Sequence, residues 1–305
     1  MGQYHMIVDM TAMEGLDPHA LGTGLKEWQI VAAKAGVCAA LVGLISTAPG
    51  NMPADLGNDP MVGRWAGHRI LAVGDYADDD DIPDFEGPPL SRLYSLVGAT
   101  DGAPPIKDVT VPCQGMVEQG ASVRFCGGGW LTPVEVRTTA TMLGADGRAR
   151  YELARKDPDE IVFLARLGVR EEEWQRPPRN NAWCGIRDGE VDRGQSRLLV
   201  SLDKREFIDP LKFGEVPTTA GIMAGNWGSA SALAITLFHP ERRGGGDLPD
   251  DNPDITPLKG RWRNTHIAAI GERESPGMPT LEAIRASFAD ISDEAFRAVA
   301  AAREW

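Results

Sequence analysis

The chain is poor in recognisable chemistry. Its four cysteines, Cys38, Cys113, Cys126 and Cys184, include no CxxC pair, which argues against a zinc ribbon or a thioredoxin-type redox motif. They suit a reduced compartment in which thiols behave as small apolar residues, with Cys113 to Cys126 the one disulfide worth considering. No G-x-S-x-G elbow, HExxH helix, kinase set, phosphate-loop pattern or GxGxxG spacing occurs. Cys126-Gly127-Gly128-Gly129-Trp130 and Gly244-Gly245-Gly246 therefore read as turn and linker. Positive charge is also scarce. With 31 Lys and Arg against 44 Asp and Glu, the net charge of -13 repels duplex DNA and anionic membranes, so nucleic acid is not an expected partner. No apolar run reaches the roughly twenty residues a membrane span requires. Ile30 to Ile45 falls short and is interrupted by Lys34, and the first residues hold no basic segment leading into an apolar one. The expectation is a cytoplasmic chain with no membrane partner.

What the chain does have is a stretch of itself twice. YHMIVDMTAMEGLDPHALGTG, from Tyr4, reappears as RLLVSLDKREFIDPLKFGEV after residue 196. Gly63-Arg64-Trp65 with Ile70, Ala72 and Gly74 returns as Gly260-Arg261-Trp262 with Ile267, Ala269 and Gly271. The first block holds about ten identities in forty positions and the second about six in thirteen, where chance gives roughly one in fifteen.

Each copy reads as strand, turn, return strand, helix, strand. Tyr4 to Met10 and Leu198 to Leu202 alternate as strands. Asp17-Pro18 and Asp209-Pro210 bend the chain, and Gly22 and Gly214 close the turn. Hydrophobic helices are expected over 25–46 and 217–238, with Gly36 and Gly228 inside them. Pro-, Gly- and Asp-rich loops follow, before strands His68 to Val73 and His266 to Ile270. Such a unit cannot easily bury both faces of its sheet alone. The expected fold is therefore α+β, an internal duplication of a strand-strand-helix-strand unit about a pseudo-twofold, with an inserted α/β subdomain. The expected boundaries are 1–77 for the first repeat, 78–196 for the insert and linker, and 197–305 for the second repeat with its closing helices. Within the insert, Val109 to Val111, Ser122 to Phe125 and Val134 to Arg137 read as strands, and Asp157 to about Trp174 as a helix. Pro279 to Ser287 and Ser292 to Glu304 read as closing helices, the second capped by Ser292.

The polar residues offer two candidate sites. His5, His19 and His68 share the first copy with Asp9, Asp17 and Asp75, the ingredients of a metal site or an acid and base pair. The aligned positions of the second copy are Arg197, Leu211, Thr265, Ser201, Asp209 and Glu272, so the fold does not require the set. His5, Asp9, His68 and Asp75 are the catalytic candidates. The acidic run Asp75, Asp78, Asp79, Asp80 and Asp81 follows a strand end, where carboxylates gather around hard cations. Asp75, Asp78 and Asp79 are the metal-ligand candidates, for a divalent ion, against the plainer reading of a solvated surface. Gly-Arg-Trp, present in both copies, reads as structural: Trp fills the space between helix and sheet while Arg reaches a carboxylate or carbonyl.

The opening MGQYHMIVD, the turn DPHALGTGLKEW and the strand GRWAGHRILAVGDYAD resemble a family of uncharacterised bacterial and bacteriophage proteins. The resemblance covers the first eighty residues best and implies that shorter members carry one repeat where this chain carries two. It brings no catalytic residues. The resulting reading is a cytoplasmic protein that binds a protein or small ligand. The alternatives are a metal-dependent hydrolase using His5, Asp9, His68 and Asp75, and a structural component of a phage particle.

Overall fold

The computed structural model describes residues 3–117 and 195–305, apart from 34–35, 48–54, 58, 84, 100–105, 216, 224, 226 and 274. The strands expected at Ser122 to Phe125 and Val134 to Arg137, the helix from Asp157, and Cys126 and Cys184 lie outside the described residues.

The architecture is α+β. Eight strands form one mixed sheet, β1 (His5–Asp9), β2 (Glu14–Leu16), β3 (His68–Gly74), β4 (Lys107–Asp108), β5 (Arg197–Ser201), β6 (Glu206–Ile208), β7 (Thr265–Gly271) and β8 (Ala289–Asp290). The strand order is β4-β2-β1-β3-β7-β5-β6-β8. Read from either edge inward, the sequence of strands is the same: a two-residue outer strand in parallel, a short return strand, the first strand of that half, and its third strand. The halves meet antiparallel along β3 and β7, where Arg69 lies opposite His266. The register of each half also agrees, since β1 pairs His5 with Gly74 and β5 pairs Arg197 with Gly271.

Alternation along the strands divides the core between two faces. Ile7, Leu16, Ile70 and Ala72, with Leu199, Ile208, Ile267 and Ala269, point into the large cluster. That side is covered by α1 (Glu27–Ala32), α2 (Val37–Ile45), α4 (Thr219–Met223), α5 (Ser229–Leu237) and α7 (Ser292–Glu304). Val8, Leu71 and Val73 pack on the other side against α3 (Leu90–Leu96), and Leu198, Val200, Ala268 and Ile270 pack there against α6 (Leu281–Ser287). No helix among the described residues is long and apolar enough to cross a membrane.

Several local expectations change. The helix expected over 25–46 is two, broken before Gly36, whose φ of 77° lies in the left-handed region that costs glycine little. A side chain there would collide with Thr23 Oγ1. The helix over 217–238 divides likewise, at Gly228. Val109 to Val111 is not a strand: Lys107–Asp108 is the strand, and residues 110–117 are helical. Ser292 does not cap α7. Its hydroxyl bonds Asp290 and accepts from the Asp209 amide, tying the helix to the Asp-Pro turn. Thr110 does the same for Asp108 and the Asp17 amide. Residues 78–117, expected in the insert, add β4 to the sheet, α3 to one face, and Val109, Cys113 and Met116 to the main core.

The Gly-Arg-Trp segments have the structural role expected of them. Trp65 and Trp262 are fully buried. Each indole donates to a glutamate of the neighbouring return strand, Trp65 to Glu14 at 2.9 Å and Trp262 to Glu206 at 2.8 Å. The preceding arginine, Arg64 or Arg261, takes both oxygens of the same carboxylate. Burial alone would raise these carboxyls, but the hydrogen bonds from Arg and Trp hold both below their usual range. Gly63 and Gly260 are required because the backbone runs against helix C-terminal carbonyls. A Cβ would stand 2.7 Å from the Ser46 oxygen and 2.9 Å from that of Phe238, with φ of 79° and 77°.

Candidate functional site

The four catalytic candidates do not meet in one pocket. His5 and Asp9 occupy opposite ends of β1, four residues and therefore about 13 Å apart on the same face. Asp9 does find His68: its Oδ2 lies 2.7 Å from His68 Nδ1, while its Oδ1 accepts from the Thr11 and Ala12 amides. Burial raises the Asp9 carboxyl above its ordinary range although His68 pulls it back. The corresponding corner of the second half holds Ser201 and Thr265, hydroxyl to hydroxyl at 3.1 Å. Asp75 is engaged elsewhere, its Oδ1 accepting from the Tyr4 amide at 3.0 Å. His19 sits in a single 3-10 turn opened by Asp17.

The acidic run is similarly occupied. Asp79 accepts from the Ser91 amide, and Asp81 accepts from the Asp78 amide and forms a two-point pair with Arg243. Asp79 and Asp80 border an open cleft of about 370 Å³ shared with Phe85, Pro88 and Leu90. Asp75, Asp78 and Asp79 do not converge as ligands, because their carboxylates serve backbone amides and the arginine instead.

A different set converges. Among the described residues, one group of histidine and carboxylate side chains has the geometry to hold a metal ion: His5, Glu27 and Asp247, with ligand atoms all within 4.8 Å of one another. Each comes from a different element. His5 opens β1, Glu27 opens α1, and Asp247 lies in the Gly-rich loop that follows α5. All three are essentially inaccessible to solvent. His5 Nε2 stands 3.6 Å from Glu27 Oε1. The other carboxylate oxygens are held. Glu27 Oε2 receives the Lys259 ammonium at 2.9 Å and the Leu248 amide at 2.7 Å, and Asp247 Oδ2 accepts from the Arg243 and Gly244 amides. His5 Nε2, Glu27 Oε1 and Asp247 Oδ1 have no hydrogen-bond partner. Burial pulls the His5 imidazole down to about 3, and it pushes the Glu27 carboxyl up to about 8 against the pull of Lys259.

Sequence reasoning reached His5 but neither of its companions. Asp247 is 220 positions from Glu27, inside a loop read as a linker. The available signal was a glutamate where the aligned second-copy residue is Thr219, at the head of an otherwise apolar helix.

The second half builds the equivalent corner differently. Arg197 replaces His5, fully buried, and its guanidinium donates to the Thr47 and Ala269 carbonyls and lies 3.7 Å from Asp55. Asp55 belongs to the loop after α2, as Asp247 belongs to the loop after α5. Each loop thus delivers its aspartate to the first strand of the opposite half.

Above the His5 corner the surface is aromatic. Tyr4, Trp28 and Tyr76 are 44%, 40% and 41% exposed. They are tied to one end of the sheet: Tyr4 accepts from the Asp75 amide, Trp28 donates its amide to Gly246, and Tyr76 accepts from Arg243. The aligned residues of the second half are Ser196, Ala220 and Arg273. No family model, curated protein or solved structure matches the chain.

Proposed function

We propose that this chain is a cytoplasmic binding protein whose recognition face is the end of the sheet bearing Tyr4, Trp28 and Tyr76. The observation that carries this reading is that three half-exposed aromatics cluster at one end of the sheet at positions whose aligned residues in the second half are Ser196, Ala220 and Arg273. A fold that forms its second corner without aromatics does not need them in the first. Tyr and Trp bring large apolar area with a polar tip, and they dominate the energetics of protein interfaces. Arg243 beside Tyr76 is already paired with Asp81, so this face offers aromatic area and not a free charge. The partner is a protein or small ligand presenting apolar or aromatic surface. Nucleic acid is disfavoured by the net charge of -13.

The scaffold beneath this face is read as an internal duplication about a pseudo-twofold between Arg69 and His266. Supporting this are the repeated sequence blocks, the strand order that reads alike from both edges, and the paired Glu-Arg-Trp contacts. The resemblance of the opening segment to bacterial and bacteriophage proteins supports reading it in such a setting.

The test compares immobilised wild type with Trp28→Ala and Tyr76→Ala, each first shown by circular dichroism to be folded. A partner captured by wild type should be lost at least tenfold in the variants, as expected when an interface anchor is worth about 2 kcal/mol. Equal capture by all three proteins would remove this face from the reading.

A further inference from the structure

The geometry points to a buried site for one borderline divalent cation, of the Zn²⁺ or Mn²⁺ class, bound by His5 Nε2, Glu27 Oε1 and Asp247 Oδ1. Three features carry the assignment. The first is that these atoms converge from a strand, a helix and a loop with no hydrogen-bond partner. A fully buried imidazole nitrogen left in that condition loses its hydration without replacement. The second is spacing. Ligands about 2.1 Å from a tetrahedral ion stand about 3.4 Å apart, and His5 Nε2 and Glu27 Oε1 are 3.6 Å apart. The third is that the remaining carboxylate oxygens are already fixed: Lys259 and the Leu248 amide hold Glu27, and the Arg243 and Gly244 amides hold Asp247. Such outer contacts orient ligands toward an ion.

One imidazole with two carboxylates suits Zn²⁺ or Mn²⁺ better than Ca²⁺, which prefers six to eight oxygens. Burial of all three ligands makes the ion structural, joining the first strand of one half to the long loop of the other. In the matching corner of the second half that cationic role falls to the Arg197 guanidinium beside Asp55. Lys259 remains on Oε2 and is not a ligand.

Purified full-length protein would be stripped with chelator, titrated separately with Zn²⁺ and Mn²⁺, and assayed for bound metal and melting temperature. X-ray absorption on the loaded wild type would identify the ligands. The expected result is one ion per chain, a melting temperature raised by several degrees and reversed by chelator, and scattering from a single imidazole. Glu27→Gln and Asp247→Asn should each abolish that shift, whereas Asp79→Asn should keep it. Absence of a stoichiometric ion overturns the proposal, as does an absorption spectrum lacking imidazole, or a shift retained in folded Asp247→Asn. If both ligand variants fail to fold, the wild-type absorption spectrum decides alone.

Discussion

The two halves of the sheet share their wiring and differ in their buried corners. Glu14 with Arg64 and Trp65, and Glu206 with Arg261 and Trp262, are the same arrangement twice. At the same places on the strands, Asp9 and His68 stand where the second half has Ser201 and Thr265, and His5 stands where it has Arg197. The difference teaches which polar groups the fold needs. The Glu-Arg-Trp contacts satisfy the junction of strand and helix and recur. The ionisable corner groups do not recur in kind, so the fold accepts more than one way of filling a buried corner.

The largest effect should come from the shared element. Trp65→Ala and Trp262→Ala each remove a fully buried indole and one hydrogen bond to the glutamate, and should cost about 3–5 kcal/mol in urea unfolding. Near-equal losses would support the equivalence of the halves, and a twofold disparity would break it.

The next largest concerns a helix start. Thr23 Oγ1 accepts from the Val37 amide at the head of α2, while Glu215 accepts from the Ser229 amide and hydroxyl at the head of α5. Burial pushes the Glu215 carboxyl up to about 7. Because its folded pKa lies above the unfolded one, the native state binds the extra proton, and stability falls as pH rises from about 4.5 to about 7. Glu215→Gln removes that term. Its stability relative to wild type should therefore improve between pH 5 and pH 8, by at most about 3 kcal/mol. A flat difference across that range would return Glu215 to an ordinary surface-like carboxyl.

The smallest concerns the differing corner. Asp9→Ser leaves His68 without its acceptor and should cost about 1–2 kcal/mol, and His68→Thr about the same. The double variant, which installs the pair of the second half, should cost less than the sum, as a double-mutant cycle would record. Strict additivity would mean that the two residues are independent.

How much of this was legible in the sequence depended on distance along the chain. Gly-Arg-Trp was readable because it is contiguous and occurs twice, and the Asp-Pro turns because proline and glycine act locally; the structure closes both turns with Gly22 and Gly214 in the left-handed region. The outer strands Lys107–Asp108 and Ala289–Asp290 are two residues each and carry no periodicity. Gly36 and Gly228 were read inside continuous helices because apolar residues continue on both sides, yet the backbone breaks there. His5 and Asp9 were grouped by residue type within one segment; four residues apart on a strand they share a face, but the strand's rise separates them by about 13 Å. Glu27 and Asp247 meet only through the fold, and no spacing rule reports that.

The crossing of Asp55 to Arg197 and of the Asp247 loop to His5 makes the two halves mutual creditors. Separated, each half would expose the β3 or β7 edge of its sheet and lose the buried partner that the other half supplies. A chain made of one such half would have to recover the missing aspartate from a second copy, by an isologous exchange of loops across β3. Carrying both halves in one polypeptide removes the concentration dependence of that exchange, and it leaves the two corners free to differ, since a change in one is not forced upon the other.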